Sequence, residues 1–489
     1  RPISSRDRDA TGLLDISRPL AASLAGVRLT RFQAGAQYTD RFRDYQRRDR
    51  TLTLKDGFAV DASYYDYAIP AGAFDGLIGE RNLWVGPNLD AFRRAFEVAG
   101  EYDGVDPQPE DLEPTSDDLR QSYRIEEDIV ALYGRLDFES AVRGAPVSGN
   151  VGLRWVRTDM TVFGAAVEAR PDLSGAVEIV SAPRATQSAY AELLPSLNIR
   201  FDLSEGVVLR LGGSRSLTRP SLASLRDATV PSSATVSEIY ERGAVALDDP
   251  NLDVTAVGGN PNLKPYVSAN ADASLEWYFD PFGALTVSAF YKRIDDFIYG
   301  EMRLEPMPFA VHDGSAVVVD INVNRPQNNG VASLAGVEMG YARRLPSGLG
   351  LSASAAFTSS TVELEYRDGS RQSARLQGVS EVSYSITPYF QRGPIEAYVS
   401  YTWRSAFDSN GNVTIASDAK TDVSNAIIAA DFGTLDFGAS CHVNRRFDIF
   451  AEGVNMTDAR QAAYQGYESR LYQLHQYGRT INIGLRARF

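Results

Sequence analysis

Apolar and polar residues alternate along the stretch from Pro265 to Gly300 with almost no interruption. Successive side chains of a strand point to opposite faces, so the alternation predicts two long β-strands joined through Asp280-Pro281-Phe282-Gly283. One face of the first strand is apolar: Ala269, Ala271, Ala273, Leu275, Trp277 and Phe279. The other face is polar: Ser268, Asn270, Asp272, Ser274, Glu276 and Tyr278. Alone, this hairpin favours a soluble β-sandwich or propeller over a lipid-facing wall with an aromatic girdle.

The same alternation recurs along the chain and predicts about fifteen strands. They are 13–20, 27–54, 123–140, 149–163, 187–203, 207–218, two within 265–300, 333–345, 349–362, 376–390, 394–406, 433–443, 447–457 and 476–489. Tight turns such as Pro346-Ser347-Gly348 alternate with long connections, at about 55–121, 167–184, 219–264, 301–330 and 407–432. Transmembrane barrels segregate loop lengths in this way, whereas a sandwich or propeller has no reason to do so. We therefore predict an all-β fold, a transmembrane antiparallel β-barrel that takes in residues 1–489 as one unit.

The number of predicted strands raises the question of closure. Single-chain bacterial outer-membrane barrels have even strand numbers, because antiparallel closure needs both ends on one side. Fifteen is odd, so we expect that these strands do not close a barrel unaided. If the tight turns are periplasmic, the first and last strands both descend toward the periplasm, which places Arg1 outside the cell.

The final strand ends on an aromatic residue. Ile481, Ile483, Leu485 and Ala487 alternate with polar residues or glycine, and Phe489 is the last residue of the sequence. Two interpretations stay open for Phe489. It is either an assembly signal read by the barrel-assembly machinery or the end of an ordinary strand.

Composition and charge exclude several other classes. The net charge of −14 argues against a general nucleic-acid-binding protein, which needs a basic surface. No apolar run approaches the roughly 18–20 residues of a transmembrane helix. The single cysteine, Cys441, excludes an internal disulfide and a cysteine-built metal site, and it shares its strand face with apolar residues. We therefore expect Cys441 to be a small apolar filler.

The candidate substrate-binding residues lie in the long connection 55–121. They are the aromatic residues Tyr64, Tyr65, Tyr67, Phe74 and Trp84, whose faces can stack on sugars and other ring-bearing ligands. The alternative is that these side chains pack the connection against itself.

Two charged runs flank this connection. The acidic run between Glu97 and Asp118 has oxygen ligands suited to Ca²⁺ but lacks EF-hand spacing, so a solvated acidic face is favoured. The arginine-rich run from Arg41 to Arg50 is suited to lipopolysaccharide phosphates or an anionic substrate. It is equally suited to pairing with its own Asp44 and Asp49.

Three segments of the C-terminal half carry a family resemblance. The first is Gly259-Asn260-Pro261-Asn262-Leu263-Lys264-Pro265, followed by Ser274-Leu275-Glu276-Trp277-Tyr278-Phe279 and Phe290-Tyr291-Lys292. The second is Asn324-Arg325-Pro326-Gln327-Asn328-Asn329-Gly330 with Gly336-Val337-Glu338, and the third is Asn455-Met456-Thr457-Asp458 with Tyr477-Gly478-Arg479-Thr480 and Phe489. Together they resemble TonB-dependent outer-membrane receptors, most closely the branch abundant in Caulobacter- and Xanthomonas-type bacteria.

The resemblance implies a 22-stranded barrel with a plug domain in its lumen. The plug, the TonB box and about seven strands have no counterpart in this sequence. The implied partner is an N-terminal fragment cut from the same receptor that carries them; the alternative is that this sequence represents only part of an intact receptor. Further implied partners are the TonB complex acting through that plug, the barrel-assembly machinery, lipopolysaccharide and a small-molecule substrate. The implied function is active nutrient uptake across the outer membrane. A carbohydrate or other neutral organic substrate is favoured, with a siderophore or cobalamin as the alternative.

Two other functional classes stay in view. An enzyme is not favoured, because His312, His442 and His475 have no accompanying nucleophile motif. No catalytic residue, metal site or cofactor is predicted. A passive porin would lack a plug and would not respond to the proton gradient.

Overall fold

The computed structural model describes residues 3–50, 52–55, 57–58, 67–68, 85–86, 88–98, 109–171, 177–243, 255–279, 282–365, 369–409 and 426–487. Its strands are β1 (Ile3–Leu24), β2 (Val27–Arg47), β3 (Leu52–Leu54), β4 (Tyr67–Ala68), β5 (Val85–Gly86), β6 (Phe96–Val98), β7 (Tyr123–Val142), β8 (Ala145–Pro171), β9 (Val177–Ser204), β10 (Val207–Thr218), β11 (Thr229–Pro231), β12 (Thr255–Gly258), β13 (Tyr266–Phe279), β14 (Gly283–Ala310), β15 (Ala316–Arg344), β16 (Leu349–Glu365), β17 (Arg371–Ala374), β18 (Val382–Arg392), β19 (Ile395–Arg404), β20 (Phe407–Asp408), β21 (Ile427–Ala429), β22 (Phe432–His442), β23 (Phe447–Val454), β24 (Arg460–Gln465), β25 (Leu471–Gln476) and β26 (Thr480–Ala487).

The α-helices of the described residues are α1 (Leu89–Ala95), α2 (Ser116–Gln121) and α3 (Ser233–Arg242), and 3₁₀ turns occur at Pro109–Asp111 and Leu222–Leu225. In this part of the chain, no helix combines the length and the apolar character needed to cross a bilayer.

One large sheet dominates the described structure. It has 18 strands, of which β11, β12 and β17 are short additions. The remaining fifteen pair antiparallel with their neighbours in chain order, from β1–β2 and β2–β7 through to β22–β23 and β23–β26. Among the described residues β1 pairs only with β2, and β26 pairs only with β23. The predicted antiparallel all-β fold of about fifteen strands is confirmed, and the fifteen strands leave both edges open.

The register separates the two sets of residues that alternate along 268–279. Ser274 lies opposite Arg210 and Ser288, whereas Leu275 lies opposite Leu209 and Val287. Directly opposed residues share a face of a sheet, so the polar and apolar sets continue across neighbouring strands. The apolar set is outward and exposed, Leu275 by 46% and Trp277 by 49%.

The sheet curves around its polar face. Strands β8 and β9 contact β14, although β10 and β13 separate them in the sheet. A groove of about 1030 Å³ runs along the polar face between β7 and β15 and includes Arg135, Asn198, Asp272 and Lys292. The inner face is therefore polar and concave, and the outer face is apolar.

Several predicted strand limits are wrong. Strand β2 ends at Arg47, and Leu52–Leu54 instead pairs with β6 in a separate two-stranded sheet. The predicted connection 301–330 is mostly strand, because β14 continues to Ala310 and β15 begins at Ala316. Register shifts between Ile294 and Ile298 interrupt the simple alternation, which explains why the pattern suggested a loop there.

The outer ends of other hairpins are also longer than predicted. Strand β1 spans Ile3–Leu24 rather than 13–20, and β8 and β9 extend through most of 167–184. A strand of about 9–11 residues crosses a membrane, so the 27 and 28 residues of β8 and β9 project far beyond one. We call the end where these hairpins project the long-loop end.

Candidate functional site

A single stretch of chain bridges two hairpins at the long-loop end. It connects β10 to β13, comprises residues 219–243 and 255–265 in the described structure, and is called the crossing segment below. Ala228 forms a bridge to Ala165 of β8, β11 pairs with β12, and β12 runs parallel to β15. Four wall strands separate β8 from β15 in the sheet order. The crossing segment therefore joins parts of the wall that are not neighbours.

Apolar packing seats the crossing segment on the inner face. Leu222, Leu225 and Leu263 pack against Ile125 of β7 and Val162 of β8, all of them buried. Ile125 and Val162 lie opposite each other and point inward. Lower on the wall, the same inward positions carry polar residues such as Asp137 and Asn150. A second cluster joins α3 and β12 to the extended β14–β15 hairpin through Ile239, Ala256, Phe309, Ile321 and related residues. The inner face is thus apolar where the crossing segment covers it, and it also carries buried apolar side chains elsewhere, such as Ile129 and Val362.

Arg325 of β15 makes the densest set of polar contacts to this segment. Its guanidinium donates to both carboxylate oxygens of Glu305 at 2.6 and 2.7 Å. It also donates to the Gly259 carbonyl and the Thr229 hydroxyl, both at 2.5 Å. A Cβ on Gly258 would lie 2.5 Å from an Arg325 nitrogen, so any side chain there would displace the guanidinium. Arg325 thereby fastens β11 and the end of β12 to the β14–β15 hairpin.

Two of the segments that carry the family resemblance meet at this point. Asn328 accepts a hydrogen bond from the Lys264 backbone nitrogen at 2.9 Å and donates one to the Lys264 carbonyl at 3.0 Å. Asn260 donates to the Pro326 carbonyl at 3.1 Å. The asparagines therefore join 259–265 to 324–330 through backbone groups, and they hold the crossing segment at its exit into β13.

The third resembling segment is organised around Asn455, which is 6% exposed. Its side chain donates to the carbonyls of Ala459 and Gly478 at 3.1 and 3.0 Å and accepts from the Ala459 nitrogen at 2.8 Å. Its backbone has φ of 56°, a left-handed conformation that asparagine tolerates better than most residues. Asn455 thus ties the end of β23 to the approach to β26.

Helix α2 is clasped between wall strands by buried charge, a group called the α2 clasp below. Arg50 donates to Asp118 at 2.6 Å, with their side chains only 9% and 0% exposed. The backbone nitrogens of Asp49 and Thr115 donate to the same carboxylate at 2.8 and 2.9 Å. Burial alone would raise the pKa of Asp118, but the bonds from Arg50, Thr115 and Asp49 outweigh it and lower that pKa. The clasp therefore needs an ionised Asp118.

The structure revises the prediction for the charged runs. Asp118 is buried and bonded, so a solvated acidic face is wrong for this residue. Arg41 pairs with Glu127, and Arg43 pairs with Asp7 at 2.5 Å, on the inner face rather than the lipid face. Arg47 pairs with Asp49 at 2.7 Å, as the alternative of internal pairing predicted. Within the described ranges, no group of acidic, histidine or cysteine side chains is arranged to hold a metal ion.

The predicted aromatic site is largely beyond the described residues. Tyr64, Tyr65, Phe74 and Trp84 lie outside them, and so does Phe489. Tyr67 begins the two-residue strand β4, paired with Gly86 of β5. The assignment of these aromatics to substrate binding, and of Phe489 to assembly, stays a prediction.

The remaining candidates lie on the wall or at its ends. His442 lies on the inner face, as the alternation along 433–443 predicts, and its Nδ1 is 2.7 Å from an Asp448 carboxylate oxygen. Cys441 lies opposite Ile395 and Ile449 on the outer face, consistent with an apolar filler. His312 occupies the turn between β14 and β15, and His475 belongs to β25. The three histidines are thus in separate elements.

Arg325, Asn260, Asn328 and Asn455 organise the long-loop end and the approach to β26, and no role was predicted for them from the sequence. Each lies within a segment that was singled out for resemblance, so the signal was present without a role attached. Their partners are distant in sequence, by 66 residues for Arg325 and Gly259. Periodicity within a strand carries no information about such pairs.

The described strands form an open antiparallel sheet that is apolar outside and polar inside and has tight turns along one rim. Such a sheet is the wall of a transmembrane β-barrel. A family model described as "TonB dependent receptor-like, beta-barrel" matches residues 5–456, and the chain therefore belongs to the TonB-dependent receptor family. This family consists of receptors and transporters of the bacterial outer membrane. The predicted family and location are confirmed, and the narrower bacterial branch stays a prediction.

Solved structures share the fold at low sequence identity. The ferric-catecholate import receptor Fiu from E. coli K12 aligns with TM-score 0.54 and 12% identity over 99% of this chain and 55% of that chain. The ferric yersiniabactin uptake receptor FyuA from Yersinia pestis aligns with TM-score 0.51 and 12% identity over 100% of this chain and 55% of that chain. The hemophore receptor HasR from Serratia marcescens aligns with TM-score 0.55 and 11% identity over 100% of this chain and 59% of that chain. The chain spans little more than half the length of these receptors, and no curated protein matches its sequence.

Proposed function

We propose that this chain forms the wall of a transporter that takes up a scarce nutrient across the outer membrane. The crossing segment and the α2 clasp form its extracellular mouth. The observation that carries the proposal is the crossing segment, which packs on the inner face and joins β8 to β15. A passive porin needs an open aqueous channel and gains nothing from a bridged mouth. A receptor needs a rigid, selective mouth, and part-buried contacts such as those of Arg325 support this role.

The proposal includes partners that complete the barrel. The free edges of β1 and β26 expose backbone groups that lipid cannot satisfy, so further strands must pair with them in a membrane. We propose that a further seven or so strands and a plug complete a 22-stranded barrel, and that TonB acts on this plug. A separate N-terminal fragment is one source of these strands. A denaturing gel of purified receptor distinguishes this source, since a single band of full receptor size would exclude a separate fragment.

The substrate in this proposal is a small organic molecule, with a carbohydrate favoured in the sequence analysis and a siderophore or cobalamin as the alternative. The acidic loops of the sequence favour a neutral substrate. In the described mouth, Arg50 and Arg325 are neutralised by Asp118 and Glu305, so these two arginines give no reason to favour an anion.

Transport assays test the proposed function directly. A deletion strain is supplied with labelled nutrients, and uptake is measured with and without an uncoupler of the proton gradient. We expect one nutrient whose uptake is lost on deletion and also on uncoupling. Uptake that persists after uncoupling would indicate a passive porin. The same assay with ferric siderophores and cobalamin included tests the alternative substrates.

A further inference from the structure

Arg226 of the crossing segment differs from the arginines around it. Arg47 pairs with Asp49, and Arg325 pairs with Glu305. The Nε of Arg226 is buried and has no hydrogen-bond partner, and its guanidinium makes no ion pair within the described residues. Arg226 is half-buried, and a half-buried cation without a counter-ion is costly, so such a residue marks a place where an anion would be stabilised.

Arg226 faces a cavity of about 500 Å³ between the crossing segment, α2 and the β14–β15 hairpin. Every other described residue that lines the cavity is uncharged. Val257 and Met302 supply apolar surface, and Gln121 and Asn324 supply amide groups. The volume lies within the roughly 300–1,000 Å³ typical of small-molecule sites, which combine apolar walls with a few polar groups.

The local field also favours an anion. Burial lowers the pKa of the Arg226 guanidinium, and the neighbouring charges of Arg47 and Arg325 act in the same direction. Arginine nevertheless stays protonated at neutral pH. Tyr45 and Tyr123 are also neighbours of this guanidinium, and their rings stack on each other with centroids 5.1 Å apart. Both phenols are neutral at that pH and bring no negative charge.

We propose that this cavity binds the carboxylate of a small organic acid through Arg226. One guanidinium matches one carboxylate in charge and in its two-pronged geometry. The body of the acid lies against Val257 and Met302, within reach of Gln121 and Asn324. The inference rests on the proposed transport function and names the substrate class of its mouth.

Equilibrium binding to the purified complete receptor in detergent tests the inference with two matched pairs of probes. One pair is 4-hydroxybenzoate and 4-hydroxybenzamide, and the other is glucuronate and glucose. In at least one pair we expect the acid to bind about 10-fold or more tightly than its neutral partner. The pair that discriminates tells whether the body of the ligand is aromatic or a sugar.

Variants assign the discrimination to Arg226. Arg226→Gln should remove the preference for the acid, and Arg226→Lys should retain part of it, because lysine keeps the charge but loses the bidentate geometry. Arg8→Gln is the matched control, since Arg8 pairs with Asp40 on the outer face. Heat-modifiable mobility on a gel confirms that each variant is folded.

Three outcomes would overturn the inference: equal affinity within both pairs, no binding of either acid, or a preference that survives Arg226→Gln. Failure here is separable from failure of the proposed function. The binding assay needs neither TonB nor a proton gradient, whereas the uptake assay needs both. Energy-dependent uptake without acid discrimination would leave the transporter proposal standing and remove this inference alone.

Discussion

The wall and the mouth are held in place by different interactions. Wall strands are joined by continuous backbone ladders, and the arginines of their inner ion pairs stay partly exposed. In the pair of Arg210 and Glu276, for example, the arginine side chain is 47% exposed. In the α2 clasp the side chains of Arg50 and Asp118 are 9% and 0% exposed. Exposed pairs contribute about 0–1 kcal/mol, whereas breaking a buried pair costs about 3–5 kcal/mol. The mouth therefore depends on individual side chains more than the wall does.

The largest loss of local stability is expected when Arg325 is substituted. Arg325→Met keeps the bulk of the side chain but removes its bonds to Glu305, Gly259 and Thr229. We expect a loss of about 3 kcal/mol in the local stability of the crossing segment, because a charge-assisted bond to half-buried Glu305 and the hydrogen bonds to Gly259 and Thr229 are lost together. Hydrogen exchange of β11 and β12 measures this loss. Unchanged protection of both strands would contradict the role given to Arg325.

A slightly smaller and pH-dependent change in local stability is expected in the α2 clasp. Because the folded pKa of Asp118 is lowered, its contribution is complete above the ordinary aspartate pKa of about 3.9 and declines as pH falls toward the folded value. The amides of Asp49 and Thr115 report on it, since both donate to Asp118. After correction for intrinsic rates, their protection should hold from neutral pH to about 5 and fall below about 3.9.

Asp118→Asn is the matched variant for the clasp. It should cost roughly 2 kcal/mol at neutral pH, because a charged acceptor becomes neutral. It should also remove the pH dependence of the two amides. Protection that already falls in wild type between pH 7 and 5 would show that another group controls the clasp.

Asn455 is expected to give the next effect. Asn455→Ala removes the bonds to Ala459 and Gly478 and leaves alanine at a φ of 56°. We expect a local loss of about 2 kcal/mol in the 455–480 region, read by hydrogen exchange. Asn455→Gly loses the same bonds without the backbone penalty and should be about 1 kcal/mol less damaging. Equal effects of the two variants would exclude the backbone contribution.

The smallest effect is expected on the outer face of the wall. Arg157 pairs with Asp159 at 2.6 Å, with side chains 50% and 49% exposed. Arg157→Gln should leave heat-modifiable mobility and hydrogen exchange of β8 unchanged, since the backbone ladders to β7 and β9 are intact. A measurable loss would mean that wall side chains contribute more than the comparison with the mouth implies.

The difference between the wall and the mouth also explains which features could be predicted from the sequence. Alternation predicted the fifteen wall strands and the face of residues such as Leu275 and His442, because strand geometry is local. It misjudged 301–330, where bulges near Ile294 and Ile298 change the register. The mouth was not predictable in this way. Arg325 meets Thr229 across 96 residues, and nothing in the local pattern of either residue indicates the other.

The central claim is that the long-loop end faces outward and the tight turns face the periplasm. Single cysteines test it most directly, in a Cys441→Ser background, at exposed Asp313 in the β14–β15 turn and exposed Ser347 in the β15–β16 turn. A membrane-impermeant maleimide should label Asp313→Cys in intact cells and Ser347→Cys only after the outer membrane is permeabilised. Labelling of Ser347→Cys in intact cells, or protection of Asp313→Cys, would contradict the account.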